Sequence, residues 1–343
     1  MANTLEQIIL KRTKNFRTDR LTMSFGEIMN MYKEGEININ PDFQRSFRWN
    51  QEKQTNLIES ILLGIPIPPI FVAEDKNGVW ELVDGLQRIS TVLSFFGILE
   101  NVPKEKNNLI LGKGKLIPEL EDISIKNMSF KLKMRIKRAS LGVEVLNPSS
   151  DSQMKYELFK RLNTTSEGLS EQEMRNAIYS GEFNSFLNEL SNNDIFVSLM
   201  NPTYKQKENM YMSELVLRYF AFKDSIDMKD GVRSHLDRYM EKNIDMNNFD
   251  KDIESQEFIK IITFINDNFG ADIFKAKNGH IAKSLYDSIT YVLREKFDKY
   301  KNNPSDFIEK VNELKEDRKY KSIGTKKRET RTQDRITRAL EIF

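Results

Sequence analysis

Cysteine is absent from the 343-residue sequence, and histidine occurs only twice, as His235 and His280. A chain without cysteine has no disulfide scaffold, no thiolate zinc site, no iron–sulfur cluster and no cysteine nucleophile. The two histidines are far apart in the sequence, which argues against a metallohydrolase or a histidine-metal nuclease centre. Any divalent metal would therefore be held by oxygen ligands, as magnesium is.

Runs of roughly 18 to 20 apolar residues, the length that spans a bilayer, are also absent. The amino-terminal segment has no small-residue cleavage site after an apolar core. We therefore expect a cytoplasmic, unprocessed protein with no membrane partner. Because 39% of the residues are hydrophobic and 30% are charged, the chain can bury a sizeable core, and its length favours two domains.

The net charge is only +2, but the charges are unevenly distributed. Residues 101–140 contain ten basic and four acidic residues, and residues 315–343 contain ten basic and five acidic ones. Two basic islands on a nearly neutral protein favour contact with a polyanion, and they are equally compatible with solvated helix faces.

The first half of the chain mixes helix and strand patterns, and the second half has mainly helical periodicity. The pattern of the first half predicts a helix that begins at Ser24, a helix over 51–63, strands over 70–73 and 79–83 joined by an Asn-Gly turn, a helix over 89–99 and a strand over 141–146. Residues 101–127 are predicted to form an insertion loop. Residues 130–137 alternate strictly, which favours a strand, although they would also form a tolerable helix.

These patterns predict an α+β domain over residues 1–150, followed by an all-α domain over residues 151–343 that ends in a basic segment. Aromatic residues of the second half, such as Tyr204, Tyr219 and Phe220, are expected in its core.

The segment with the clearest chemistry is the turn that follows the second hairpin strand, Asp84-Gly85-Leu86-Gln87-Arg88. A strand that turns at glycine into a helix presents free backbone N–H groups and a positive helix end, where phosphate binds. Gln87 offers an amide donor, Arg88 can contact two phosphate oxygens, and Asp84 could hold magnesium or orient a water molecule. The alternative is a purely structural turn, since Asp-Gly is a common turn dipeptide.

Two further segments are candidates for ligand contact. Gln44, Arg45 and Trp49 offer donors and a stacking surface for a nucleotide, or else Trp49 is a core residue and the arginine is solvated. The carboxy-terminal segment is either a nucleic-acid-binding surface or a solvated helix, and its candidate residues are Lys327, Arg328, Arg331, Arg335 and Arg338. The last three of these would share one helix face.

Residues 52–96 resemble the nucleotide-binding core of the ParB/sulfiredoxin superfamily. More closely, Gln44-Arg45 with Trp49, followed by residues 84–88, resemble the GmrSD-type family, the N-terminal NTPase and specificity module of modification-dependent restriction systems. That family generally has glutamine at the position of Leu86. Residues 159–175 are also similar to the family, with an Asn-containing turn at Asn163 and a Leu-Ser-x-x-Glu-x-Arg pattern that ends at Arg175.

This resemblance implies a ParB-like NTP-binding domain in which Asp84, Gln87 and Arg88 carry out magnesium-dependent NTP hydrolysis. The nucleotide would be bound by Gly85, Gln87 and Arg88, together with Gln44, Arg45 and Asn163. Asn163 would be either a ligand to the nucleotide or metal or the cap of a helix. Arg175 would either contact phosphate or lie on a solvated helix face.

The implied role is that of a sensor or specificity protein in a DNA restriction or anti-phage defence system. It would act on DNA, modified DNA included, and would lack its own HNH nuclease domain. The cutting activity would come from a separate nuclease subunit or be absent. Two alternatives stay open: a DNA-binding regulator that hydrolyses nothing, and a ParB-like metal-dependent DNA nuclease. The sequence leaves the nucleobase and the oligomeric state open, a homo-oligomer included.

Overall fold

The computed structural model describes residues 4–7, 9, 18–39, 49–74, 77–100, 107–146, 170–179, 181–224, 228–247, 249–325 and 329–343. The chain divides into two units, residues 1–168 and 169–343. The boundary predicted between residues 150 and 151 falls in a segment, 147–169, that lies outside the described residues.

The first unit is built on a mixed sheet, with five strands in the described residues and the order β1-β5-β3-β4-β2. The strands are β1 (Thr18–Ser24), β2 (Ile37–Asn38), β3 (Ile70–Glu74), β4 (Trp80–Asp84) and β5 (Ser140–Leu146). β5 pairs antiparallel with β1 and parallel with β3, and β4 pairs antiparallel with β3 and parallel with β2. The α+β class predicted for this half of the chain is thereby confirmed.

The α-helices that pack with this sheet are α1 (Phe25–Glu34), α2 (Gln51–Leu63), α3 (Leu86–Phe95) and α4 (Phe130–Arg138). α1 begins where the capping pattern predicts, because the Ser24 side chain accepts a hydrogen bond from the Glu27 N–H at 3.1 Å. α2 has the predicted bounds and ends at Gly64, whose φ of 76° is left-handed. Apolar residues of helices and sheet form one core, which includes Ile58, Val72 and Phe95.

Two favoured predictions about this unit are wrong. Residues 130–137 form the helix α4, which was the alternative to the favoured strand. The Ser129 side chain caps this helix, and only Ile136 among its residues is buried. The antiparallel neighbour of β5 in the sheet is β1. The two strands pair along their whole length, with Thr18 opposite Leu146. α3 begins at Leu86 rather than residue 89, because the Gly85 carbonyl already accepts the Ile89 N–H.

The second unit is helical, as predicted. Its helices are α5 (Glu171–Ile178), α6 (Glu182–Ser191), α7 (Asp194–Met200), α8 (Tyr204–Glu208), α9 (Tyr211–Asp224), α10 (Gly231–Asn243), α11 (Lys251–Asn268), α12 (Lys283–Glu295), α13 (Phe297–Tyr300), α14 (Pro304–Glu316), α15 (Arg318–Thr325) and α16 (Arg331–Ile342). Tyr219 and Phe220 of α9 are core residues as expected, but Tyr204 is 67% exposed at the start of the short helix α8. None of the described helices is long and apolar enough to cross a membrane.

Candidate functional site

The turn between β4 and α3 is shaped by one glycine. Asp84 is the last residue of β4 and pairs with Phe71 of β3, and α3 begins only two residues later. Gly85 has a left-handed φ of 103°, and a Cβ atom there would lie 2.3 Å from the Ile70 Cγ2 atom. Both the backbone angle and the close approach to β3 therefore require glycine at this position.

Arg88 lies in the first helical turn of α3. Its side chain contacts the end of β4 and the segment before β3. Its Nη2 donates to Asp84 Oδ2 at 2.5 Å, and its Nη1 donates to the Pro68 carbonyl oxygen at 3.0 Å. The side chains of Arg88 and Asp84 are 12% and 26% exposed. The guanidinium is thus held in place by two acceptors and keeps further N–H donors for a ligand.

Pro68 was not among the residues that the sequence singled out for chemistry. It lies in the segment 65–69 before β3, whose prolines exclude a helix and suit an extended chain. Proline lacks an N–H group but keeps its carbonyl oxygen, and in an extended segment that oxygen is free to accept a hydrogen bond from another part of the chain. Here the donor is Arg88. The proline pattern predicts the extended backbone but does not identify this donor.

Gln87 connects the turn to the segment before α2. Its side-chain Oε1 accepts a hydrogen bond from the Trp49 backbone N–H at 3.2 Å, so the amide NH2 group remains as a donor. The Trp49 side chain is partly buried against the core of the first unit, which fits the core alternative for this residue. Gln44 and Arg45 lie outside the described residues.

The amino-terminal end of α3 has no side-chain cap among the described residues. Gly85 is the cap residue and provides no side-chain hydrogen bond. The first N–H groups of a helix have no acceptor within it, and this end carries partial positive charge. The turn thus combines backbone donors, a fixed guanidinium and a carboxylate, which is chemistry suited to a phosphate group and a hard cation.

Asp84 is the predicted magnesium ligand. The described part of the chain contains no group of three or more His, Asp or Glu side chains that could hold a metal ion. A single partly exposed carboxylate fits magnesium, which commonly keeps several water molecules and takes its remaining ligands from one or two carboxylates and the phosphates of a substrate. It does not fit a cation held in an all-protein cage.

The described end of the second family-like segment, residues 170–175, contains the start of α5. Ser170 and Glu173 make a reciprocal capping box, as their spacing predicts. Arg175 is fully buried: its Nε donates to Asp237 Oδ1 at 2.7 Å and its Nη1 to Gln172 Oε1 at 3.3 Å. It is therefore not on a solvated face. Burial raises the pKa of Asp237, and Arg175 opposes this rise. Asn163 lies outside the described residues.

Most of the described arginines of the predicted nucleic-acid surface at the carboxy terminus contact other side chains of the helical unit. Arg338 makes a two-fold ion pair with Asp317, at 2.8 Å and 3.2 Å, and Arg335 lies over the Tyr320 ring at 5.2 Å. Arg331 is exposed. Lys327 and Arg328 lie outside the described residues. Two of the three arginines thus stabilise the packing of α16 in the helical unit.

A mixed sheet with helices and a glycine-capped strand–helix turn defines the first unit as an α+β domain with a candidate anion site. Residues 25–180 match the family model described as the GmrSD restriction endonuclease N-terminal domain, and this part of the chain is a member of that domain family. The resemblance to the GmrSD-type family that the sequence predicted is confirmed for these residues. Comparisons with curated proteins and with solved structures give no match.

Proposed function

We propose that the first unit binds a nucleoside triphosphate at the turn between β4 and α3. The observation that carries this proposal is the Arg88 guanidinium, held 2.5 Å from Asp84 at the open end of a glycine-capped helix. A guanidinium, a carboxylate and helix N–H groups in one turn suit a phosphate chain with its magnesium ion. The family match of residues 25–180 supports this proposal.

Each residue of the turn would have a separate role. Arg88 would contact phosphate oxygens with the donors that Asp84 and Pro68 leave over, and Gln87 would donate from its amide nitrogen. Asp84 would hold magnesium, which neutralises phosphate charge when bound. The Asp84 carboxylate is also a candidate to orient the water that attacks the γ-phosphate, while Arg88 and the end of α3 stabilise the developing charge.

Leu86 distinguishes this turn from the usual family motif. Its side chain is partly buried against the core of the first unit, so it contributes packing and no polar contact. The residues proposed to bind phosphate are unchanged beside it. We therefore expect nucleotide binding to be retained and turnover to be slow, and we expect Leu86→Gln to raise turnover.

We further propose that this nucleotide site serves a sensor or specificity role in a DNA restriction or anti-phage defence system. His235, one of only two histidines, is engaged in the helical core: its Nε2 lies 2.8 Å from the Ala221 carbonyl oxygen and its ring stacks on Phe222. We therefore propose that DNA cleavage would be carried out by a separate nuclease subunit.

The test is phosphate release from each of the four NTPs with magnesium, with and without DNA, together with direct nucleotide binding. The variants are Asp84→Asn and Arg88→Ala, and the matched control is Arg20→Ala, which removes an exposed ion pair with Glu144 on the same sheet. We expect both turn variants to lose turnover and Arg88→Ala to lose binding, while the control behaves as wild type. Circular dichroism and thermal melting check that each variant is folded.

Failure of the wild-type protein to bind any NTP would overturn the proposal, and so would full turnover by folded Arg88→Ala. DNA binding without nucleotide binding, unchanged in both variants, would support a DNA-binding regulator instead. Metal-dependent nicking of DNA in the absence of NTP would support a ParB-like nuclease.

A further inference from the structure

The basic island of residues 101–140 is concentrated in one helix. Within it, residues 107–129 carry three basic and three acidic residues, whereas α4, residues 130–138, carries five basic residues and no acidic one. In the described part of this island, the excess of positive charge is therefore carried by a single helix of nine residues.

One face of α4 is cationic and exposed. Lys131, Arg135 and Arg138 have the spacing i, i+4 and i+7, which places them on the same side of a helix, and all three are exposed. Among the described residues none of the three forms an ion pair or a side-chain hydrogen bond. The arginines of α16 have the same spacing, but there Arg338 is ion-paired and Arg335 packs on Tyr320.

The apolar residues of α4 divide between the domain and the solvent. Ile136 is fully buried and Met134 is half-buried, while Phe130 and Leu132, in the first turn, are 78% and 40% exposed. A helix that lies on a membrane needs its apolar face free to enter the lipid. Because α4 uses Ile136 and Met134 for packing, only Phe130 and Leu132 remain as an apolar patch, and the cationic face is suited to anions in solution.

We propose that α4 is a contact site for the phosphate backbone of DNA. Residues 131 to 138 rise about 10 Å along the helix axis, over which one strand of DNA presents about three phosphates. The three cations match that number, and the exposed Phe130 ring is available to stack on an unpaired base. The choice of DNA among polyanions rests on the proposed restriction-system function.

The test measures binding of a short duplex DNA, and of one of its single strands, by fluorescence anisotropy over a series of salt concentrations without nucleotide. The variant is the triple substitution K131Q/R135Q/R138Q. The matched control K205Q/K207Q/K242Q removes three exposed cations from the helical unit. We expect the α4 variant to bind roughly tenfold or more weakly and its salt slope to fall by about three, while the control binds as wild type.

Equal binding by wild type and the α4 variant would overturn the proposal, as would equal losses in both triple variants or no DNA binding by wild type. Vesicles containing phosphatidylserine test the membrane alternative: vesicle binding that depends on α4, with DNA binding that does not, would also overturn it. Because DNA binding is measured without nucleotide, a failure of the nucleotide proposal leaves this result interpretable.

Discussion

Glu59 lies 2.7 Å from the backbone nitrogen of Ile117, and the same carboxylate oxygen accepts a second hydrogen bond from the Leu116 N–H at 2.8 Å. One turn earlier on α2, Thr55 accepts a hydrogen bond from the Gly112 N–H, and one turn before that Gln51 donates to a carbonyl oxygen of the same segment. Polar side chains along one face of α2 thus hold residues 110–117, which have no regular secondary structure.

We expect Glu59→Ala to destabilise the first unit by about 2 to 3 kcal/mol, because it leaves two backbone N–H groups without their acceptor. Urea unfolding measures this change. Glu52→Ala is the matched control on the same helix, since Glu52 makes an exposed ion pair with Lys115, its one ion-pair partner among the described residues. This change should cost about 0.5 kcal/mol or less. Equal losses in the two variants would contradict the role given to Glu59.

Gly85→Ala should be more damaging than Gly35→Ala. Both residues have a left-handed φ, which costs a residue with a Cβ about 1 to 2 kcal/mol. At Gly35 nothing lies within 4 Å of the added Cβ, whereas at Gly85 the added atom would collide with Ile70. Thermal melting of the two variants measures the difference, and a melting temperature for Gly85→Ala at or above that of Gly35→Ala would refute the steric argument.

Asp287 and Arg218 form a buried two-fold ion pair between α9 and α12, with distances of 2.5 Å and 2.8 Å. Asp287→Asn keeps the shape but leaves the buried Arg218 guanidinium with Glu214, 3.3 Å from its Nη1, as its remaining carboxylate partner among the described residues, so we expect a loss of about 3 kcal/mol. Chemical denaturation measures the loss. The control Asp298→Asn removes an exposed pair with Lys301 and should change stability by about 0.5 kcal/mol or less. A similar small effect for both variants would show that the buried charge is compensated elsewhere.

Acid should weaken the attachment of α16. The hydrogen bond from Arg338, with another from the Tyr320 N–H, lowers the pKa of Asp317 from 3.8 to about 2. A lowered carboxyl pKa stabilises the folded state above the unfolded pKa, and this contribution is lost as the pH falls through the folded pKa, here between about pH 4 and 2. Melting curves across this range should show a smaller acid-induced drop for Asp317→Asn than for wild type. Identical pH profiles would contradict the assignment.

The elements that the sequence predicts correctly are those with local signals. α1 and α2 carry their own capping residues and end at left-handed glycines, so a few adjacent positions determine their bounds. β1 could not be predicted in this way, because its partner β5 is distant in the sequence and only the folded chain brings Thr18 opposite Leu146. The alternation in α4 was misleading since a strand and an exposed helix both accommodate it.

The same limit applies to the candidate sites. Sequence spacing places Arg331, Arg335 and Arg338 on one face, but it does not reveal that Asp317 lies opposite Arg338. At the turn, the residue types predict phosphate chemistry. The sequence does not reveal the hydrogen bond from Arg88 to the Pro68 carbonyl oxygen or the ion pair with Asp84. These contacts depend on how β3 and β4 pair in the sheet.

The ion pair between Arg88 and Asp84 also determines how two ligands would influence each other. An anion bound to the remaining donors of Arg88 would partly neutralise the guanidinium, and this would make the Asp84 carboxylate a better ligand for a cation. A cation at Asp84 would in turn partly neutralise the carboxylate and strengthen the attraction of Arg88 for the anion. Since such coupling is reciprocal, each ligand should raise the affinity of the other by the same factor.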